Sequence, residues 1–440
     1  MLHVLREFAD DSDKRAILWA ASPAISRLGR LAQHDLPPQR WPRIRNIARR
    51  AYGGIAKQSP VTTWAAPPIL IATTTENQSR VARALLKAVM AELNIASAPT
   101  PTPKPSRAPM RQLTRFTKAA DLLISRSRAH LISHSSMEPS TIDFLASILF
   151  NSALAIARSH EILTVQSVRL LVVATQHSYH IRALCLEARR RGIATIYFPH
   201  APVADNSQYR DLPFDHAGLR GQAEVEFYRS IGVFERESFQ VTGNPTIDTY
   251  PPVRIGTDAP ILLGLSPASR TRLEQIVDLV RPVERFGVRV APHPASDVRL
   301  LRKVLPRSWE ISERGRTMAE LLSGPRCLLV QSSGVALEAL LLGLPVIELS
   351  LGGRPNYPFI RPPWVPIVSD SRSLADQLAE IFAEGPDVGA RGELIRWAEY
   401  WCSPLGEASI QACGRALMRA LSLGLNNELL LDAWGDQLWT

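Results

Sequence analysis

"VQSSGVALEALLLGLPVIEL", residues 330–349, decides the fold. An apolar strand end runs into Ser332-Ser333-Gly334, a short apolar helix comes next, Gly343-Leu344-Pro345 stops it, and a second apolar strand begins. Glycine and then proline just past a helix end it sharply. Strand, helix and strand at this spacing read as one crossover of a parallel sheet. In open parallel sheets ligands lie beyond the carboxyl ends of the strands, where the two serines and the glycine fall. The helix start offers unpaired N–H groups and the positive end of its dipole, and Gly334 lets an anion approach the backbone. Glu338 lies one turn further on the same face, and helical side chains lean back toward the N-terminus. A carboxylate there suits a ribose held between it and a phosphate. The plainer reading is a Ser333 cap and a Glu338–arginine pair. A capping box would need glutamate three residues after Ser333, where Ala336 stands.

The pattern repeats on both sides of this stretch. PILLGLS (260–266), GVRVAP (287–292) and RCLLVQ (326–331) read as strands, with helices over 270–283 and near 297–304. Their ends carry Gly264, Ser266 and Arg270, and then His293 and Pro294. With Ser332, Ser333, Gly334 and Glu338 these make a converging anion pocket. A histidine between prolines sits in stiff extended backbone, and its ring can donate to a phosphate or protonate a leaving group. Upstream, strands over 69–73, 169–175, 193–199, 216–221 and 239–245 alternate with helices over 75–93, 141–160, 181–191 and 222–232. AILWAAS (16–22) also reads as a short buried strand. SAPTPTPKPSRAP (97–109) holds five prolines and reads as an extended loop. TYPPVRIGTDAP (249–260) breaks the alternation.

The pattern implies two α/β units: Rossmann-like, doubly wound, and facing each other across a cleft. Residues 1–250 form the first and 258–395 the second, with C-terminal helices over 396–440 packing back toward the first. The chain's 440 residues exceed one typical core. Hydrophobic residues make up 45% and charged residues 21%, which excludes a disordered chain. Cys185, Cys327, Cys402 and Cys413 form no CxxC pair, so neither a zinc cage nor a disulfide framework is expected, and a reducing cytoplasm fits. No uninterrupted apolar run approaches a membrane span, and the acidic N-terminus lacks the pattern of an export signal. The net charge of +10 comes from scattered arginine rather than basic blocks. It points away from nucleic acid, and reads equally as a solvated surface or as a sign of an anionic substrate or of peripheral contact with an anionic membrane surface.

VTGNPTID (241–248), the strand ending APHP (291–294) and QSSGVALEALLLGLPVI (331–347) together resemble the C-terminal half of a GT-B-fold glycosyltransferase. The resemblance covers about residues 165–415. It is closest to bacterial surface-polysaccharide enzymes: sialyl- and polysialyltransferases, and the glycerophosphotransferases of teichoic-acid assembly. It implies that His293, Ser332 and Ser333 hold the donor's phosphates and that Glu338 binds its ribose. It also implies a base in the first domain, for which His200 in IYFPHAP is the candidate, with His177 and Asp205 in reserve on the acceptor side. Relatives place glycine after that histidine; here Ala201 stands there. The expected activity is metal-independent transfer of a glycosyl or glycerophosphoryl group from a nucleotide-activated donor to a hydroxyl acceptor, with no cofactor. GT-B epimerases of nucleotide-sugars share the GN…D run and the Ser-Gly…Glu-Ala segment, but usually carry paired glutamates where this chain has Glu338 alone. A non-catalytic binding module of the same fold is the third reading.

Overall fold

A computed structural model of the chain describes residues 2–33, 61–94, 101–102, 110–135, 139–164, 168–205, 212–231, 239–247, 259–293, 296–313, 316, 318–352, 356–383 and 388–425. Two sheets organise it. The first runs β3 (Pro101–Thr102), β1 (Thr62–Ala66), β2 (Ile69–Thr73), β4 (Leu170–Val173), β5 (Ala194–Tyr197), β6 (His216–Leu219) and β7 (Phe239–Val241). β1 is antiparallel to β2 and β3, and every pairing from β2 to β7 is parallel. The second runs β10 (Glu310–Ile311), β9 (Val288–Pro292), β8 (Ile261–Leu265), β11 (Leu328–Val330), β12 (Val346–Leu349) and β13 (Ile367–Val368), parallel throughout.

Both sheets are covered on both faces, which is why their strands are apolar runs rather than alternations. Leu70, Ala72, Leu171 and Val173 point to one core; Ile69, Ile71, Leu170 and Val172 point to another. In the second sheet Leu262, Leu328 and Val330 oppose Leu263, Leu329 and Ile347 in the same way. One apolar cluster covers a face of each sheet and runs unbroken from Leu171 in the first unit to Val330 in the second. Two doubly wound α/β units meeting in this way make the GT-B architecture.

The helices are α1 (Leu2–Glu7), α2 (Ser12–Gln33), α3 (Glu76–Leu93), α4 (Met110–Ser135), α5 (Pro139–Thr164), α6 (Tyr179–Arg190), α7 (Gln222–Ser230), α8 (Arg270–Val280), α9 (Val298–Val304), α10 (Met318–Leu322), α11 (Val335–Leu341), α12 (Ser371–Ala383), α13 (Val388–Trp401) and α14 (Gly406–Leu423). AILWAAS is not a strand: it lies inside α2, with Ile17, Leu18, Trp19 and Ala20 buried in a helical layer built with α4 and α5. A seven-residue apolar run fits a buried helix as well as a strand. Arg182 of α6 is buried beneath this layer, its guanidinium 4.0 Å from the Trp19 ring and its Nε donating to the Trp19 carbonyl at 3.1 Å. α5 contains a stretch, Thr141–Leu163, long and apolar enough to cross a membrane, and 61% of its most apolar window is buried inside the protein.

Of the proline-rich stretch, Pro101–Thr102 pair with β1 at the sheet edge, and most of the remainder lies outside the described residues, as does most of the break at 249–260. The C-terminal helix α14 buries Cys413, Ala416 and Leu417 against Val81 and Leu85 of α3. Its approach explains the Gly-Asn of VTGNPTID. Gly243 has φ +76°, and a Cβ there would stand 1.7 Å from the Pro404 carbonyl oxygen. Asn244 N–H donates to that same carbonyl at 3.0 Å. The Asn244 side chain closes its own turn by accepting from the backbone and hydroxyl of Thr246. This run is therefore the seat of the returning C-terminal segment.

Candidate active site in the interdomain cleft

The loop after β11 is shaped by a residue on the neighbouring strand. Glu348 of β12 is 2% exposed and accepts from Ser332 N–H with both oxygens, at 2.8 and 3.0 Å. That pair of bonds accompanies φ +43° at Ser332, a conformation uncommon outside glycine and asparagine. The Ser332 hydroxyl lies 3.4 Å from Glu348 Oε1 and accepts from Asn356 N–H at 3.4 Å, so it is engaged within the chain. Burial pushes the Glu348 carboxyl up to about 7. Ser333 differs. Gly334 is the N-cap of α11 with no side-chain cap bond, and the Ser333 hydroxyl has no partner among the described residues. Neither serine caps the helix.

The other expected donor-side residues separate. Ser266 comes after β8, its hydroxyl 3.5 Å from the Gln331 carbonyl, beside the same loop. His293 comes after β9, exposed, its N–H bonded to the Leu265 carbonyl at 3.0 Å. Pro294 lies outside the described residues. Gly264 is interior to β8, where a Cβ would meet Val330 Cγ1 at 3.5 Å, a packing position rather than a lining one. Arg270 points to solvent and pairs with Glu274 at 2.9 Å. Ser269 caps α8, so the inward cation is one half-turn later. Arg272 Nη1 donates to the Leu351 carbonyl, and its Nε lies 2.7 Å from the Gln331 side-chain oxygen in the amide orientation that satisfies both. Arg272, not Arg270, is the arginine beside the ends of β11 and β12.

The opposite wall is the carboxyl edge of the first sheet. His200 lies just past β5, half-buried, with Nδ1 2.5 Å from the Ala174 carbonyl oxygen at the end of β4. A carbonyl only accepts, so Nδ1 carries the proton and Nε2 is left as the basic nitrogen. Burial lowers the ring's pKa, a trend the Ala174 bond opposes and the Arg220 cation reinforces. His177, after β4, is half-buried, with its N–H on the Thr175 hydroxyl at 3.3 Å. The neighbouring Gln176 is 1% exposed, and its amide nitrogen has no partner among the described residues. Asp205 is exposed.

Arg220, at the end of β6, was not among the expected residues. It is 3% exposed, and its Nε and Nη1 have no hydrogen-bond partner among the described residues. Glu224 is near but committed elsewhere, accepting from Val203 N–H at 3.0 Å and Arg220 N–H at 2.9 Å. Glu338 comes from the other domain. It forms no ion pair among the described residues, yet feels both Arg220 and Arg80 of α3. Burial outweighs both and raises its pKa.

The two walls touch. Asp205 N–H donates to the Asn356 carbonyl at 2.6 Å. A Cβ on Gly334 would stand 3.0 Å from Pro202 Cδ. Glu338 and Tyr357 of the second domain both lie within electrostatic range of Arg220 in the first. The structure thus gathers His200, Arg220, Glu338, Ser333 and Tyr357 around one boundary. Among the described residues no group of three His, Cys, Asp or Glu stands close enough to hold a metal ion.

No family model matches the chain, and no curated protein does. Solved structures of similar shape exist. The UDP-GlcNAc 2-epimerase of Methanocaldococcus jannaschii, in complex with UDP-GlcNAc and UDP, is 16% identical, covering 62% of this chain and 81% of that one, with a TM-score of 0.43. The S. aureus MnaA–UDP structure is 14% identical, covering 79% and 93%, with a TM-score of 0.47. The calicheamicin glycosyltransferase CalG4 is 16% identical, covering 63% and 78%, with a TM-score of 0.41. These similarities are to epimerases and a glycosyltransferase, and not to the sialyl- or teichoic-acid type that the motifs resemble.

Proposed function

We propose that the chain is an enzyme acting on a nucleotide-activated sugar in this cleft, with His200 as its base and the nucleotide as leaving group. The observation that carries the reading is the Ala174–His200 bond, which puts the proton on Nδ1 and leaves Nε2 as the basic nitrogen just past a strand end. As the nucleotide phosphate departs, negative charge grows on its oxygen. The hydroxyl of Ser333 and the N–H groups beside Gly334 are the preset donors for it. No metal enters this proposal.

The source of the proton taken by His200 divides two reactions. If it is an acceptor hydroxyl, the sugar or glycerophosphoryl group is transferred, the activity that the sequence motifs suggest. If it comes from the sugar carbon beside the anomeric one, loss of the nucleotide leaves an unsaturated sugar, and return of the nucleotide with a proton delivered to the opposite face gives an isomer of the starting nucleotide-sugar. The position of Glu338 favours this second reading specifically. It is a carboxyl whose pKa burial raises, on the wall opposite the base, and proton exchange at one carbon needs groups on both faces.

Incubation of UDP-, CDP- and GDP-sugars without acceptor, then analysis by NMR, tests these readings. An isomerised sugar identifies an epimerase. A donor consumed only when a glycan or lipid-linked acceptor is added identifies a transferase. Full turnover in a folded His200→Gln protein would remove the base, and with it the proposed function.

A further inference from the structure

Among the described residues the buried cation Arg220 has no ion-pair partner. Arg220 keeps its charge in any environment, because the guanidinium does not lose its proton at accessible pH. Placing such a charge out of water without an ion pair is costly. Yet Arg220 is 3% exposed, forms no salt bridge among the described residues, and leaves Nε and Nη1 unmatched. None of its acidic neighbours among the described residues pairs with it directly. Glu224 is held by two backbone N–H groups and kept toward its neutral form by burial. The Cys402 thiol, in hydrogen-bond range, is pushed up to about 11. Glu338, across the boundary, is itself shifted toward neutrality. A buried arginine with two unmatched N–H groups and no ion pair among the described residues is suited to receive an anion.

We propose that Arg220 is an anion receptor: its unmatched Nε–H and Nη1–H take two oxygens of the substrate's phosphate beside His200, from the wall opposite the Ser332-Ser333-Gly334 loop. The fork of the guanidinium matches two phosphate oxygens side by side. The phosphate would then be gripped by both domains at once, which ties substrate binding to their contact. This inference rests on the nucleotide-sugar reading for the identity of the anion, but not for its existence.

The test compares the wild type with Arg220→Gln and Arg220→Lys by thermal shift and calorimetry. The probes are UDP and CDP, then uridine and cytidine, then inorganic pyrophosphate. Without ligand, Arg220→Gln is expected to melt at the same temperature as wild type or higher, because an unpaired buried charge has gone. It should bind nucleoside diphosphate at least about tenfold more weakly and the nucleosides equally well. Arg220→Lys should fall between. A nucleotide carrying an acidic sugar separates the two possible sources of the anion. A loss confined to that ligand would assign Arg220 to a sugar carboxylate and overturn the phosphate assignment. Equal nucleotide affinity in wild type and Arg220→Gln would overturn the inference, as would a lower melting temperature in both variants without ligand. If no nucleotide stabilises the wild type, the nucleotide reading fails by itself. Pyrophosphate then decides: a shift in wild type that Arg220→Gln lacks upholds the receptor, and no shift in either overturns it.

Discussion

Glu348 holds the N–H of Ser332 with both of its carboxylate oxygens, reaching from β12 to the end of β11. This one contact sets the backbone of the loop that carries Ser333 and Gly334.

The contact has a pH signature. Burial raises the Glu348 carboxyl from 4.5 to about 7. Between those values the folded chain keeps a proton that the unfolded chain has lost. Stability therefore falls as pH rises through that window and levels off above it. The fall attributable to this group is at most about 3 kcal/mol. In Glu348→Gln the slope should be flatter. Melting temperatures between pH 4.5 and 8 check it, and equal slopes in both proteins would contradict it.

His200→Gln should fold and bind nucleotide as wild type does, but lose about 10²–10⁴ in turnover. The wild-type ring has a pKa below the ordinary histidine value, so it stays unprotonated to lower pH than a free imidazole. The acid limb of kcat/KM should accordingly lie below 6.5. An acid limb above that value would exclude this ring as the base.

Whether Glu338 meets a ribose is read from paired ligands. If it does, wild type should prefer UDP or CDP over the 2′-deoxy form, and Glu338→Ala should lose most of that preference. Loss of affinity for both forms alike would assign Glu338 to the electrostatics of Arg220 instead.

Gly243→Ala forces a Cβ against the Pro404 carbonyl at φ +76°. The clash is with backbone, so the cost should be several kcal/mol, on the order of 3 or more. Gly334→Ala is expected to be milder for the fold. There φ is −64° and the obstacle is Pro202 Cδ at 3.0 Å. It should instead disturb the contact between domains, seen as increased hydrogen exchange at residues 200–205.

The parallel sheets were legible because their strands are uniform apolar runs separated by helices of ordinary length. AILWAAS misled for the same reason: an apolar run carries no period when both sides are covered. His200 and Ser333 stand just beyond strand ends and Glu338 one turn into the helix that follows, places that the strand–helix pattern makes legible as candidate positions. Arg220 of HAGLRG occupies the same kind of position, one residue past β6, and was open to the same reasoning. Glu348 gave no such signal, since a carboxylate in a strand reads as a solvent-facing position until the neighbouring loop is seen folding over it. Arg272 was missed in favour of Arg270 because only the cap at Ser269 decides which arginine turns inward.

The bond from Asp205 N–H to the Asn356 carbonyl joins the segment downstream of His200 to the residue resting on the Ser332 hydroxyl. Any molecule entering or leaving between these loops has to part that peptide pair and wet the oily seam behind it. For the proposed activity this predicts that a viscogen such as sucrose retards steady-state turnover while leaving a single enclosed turnover unaffected.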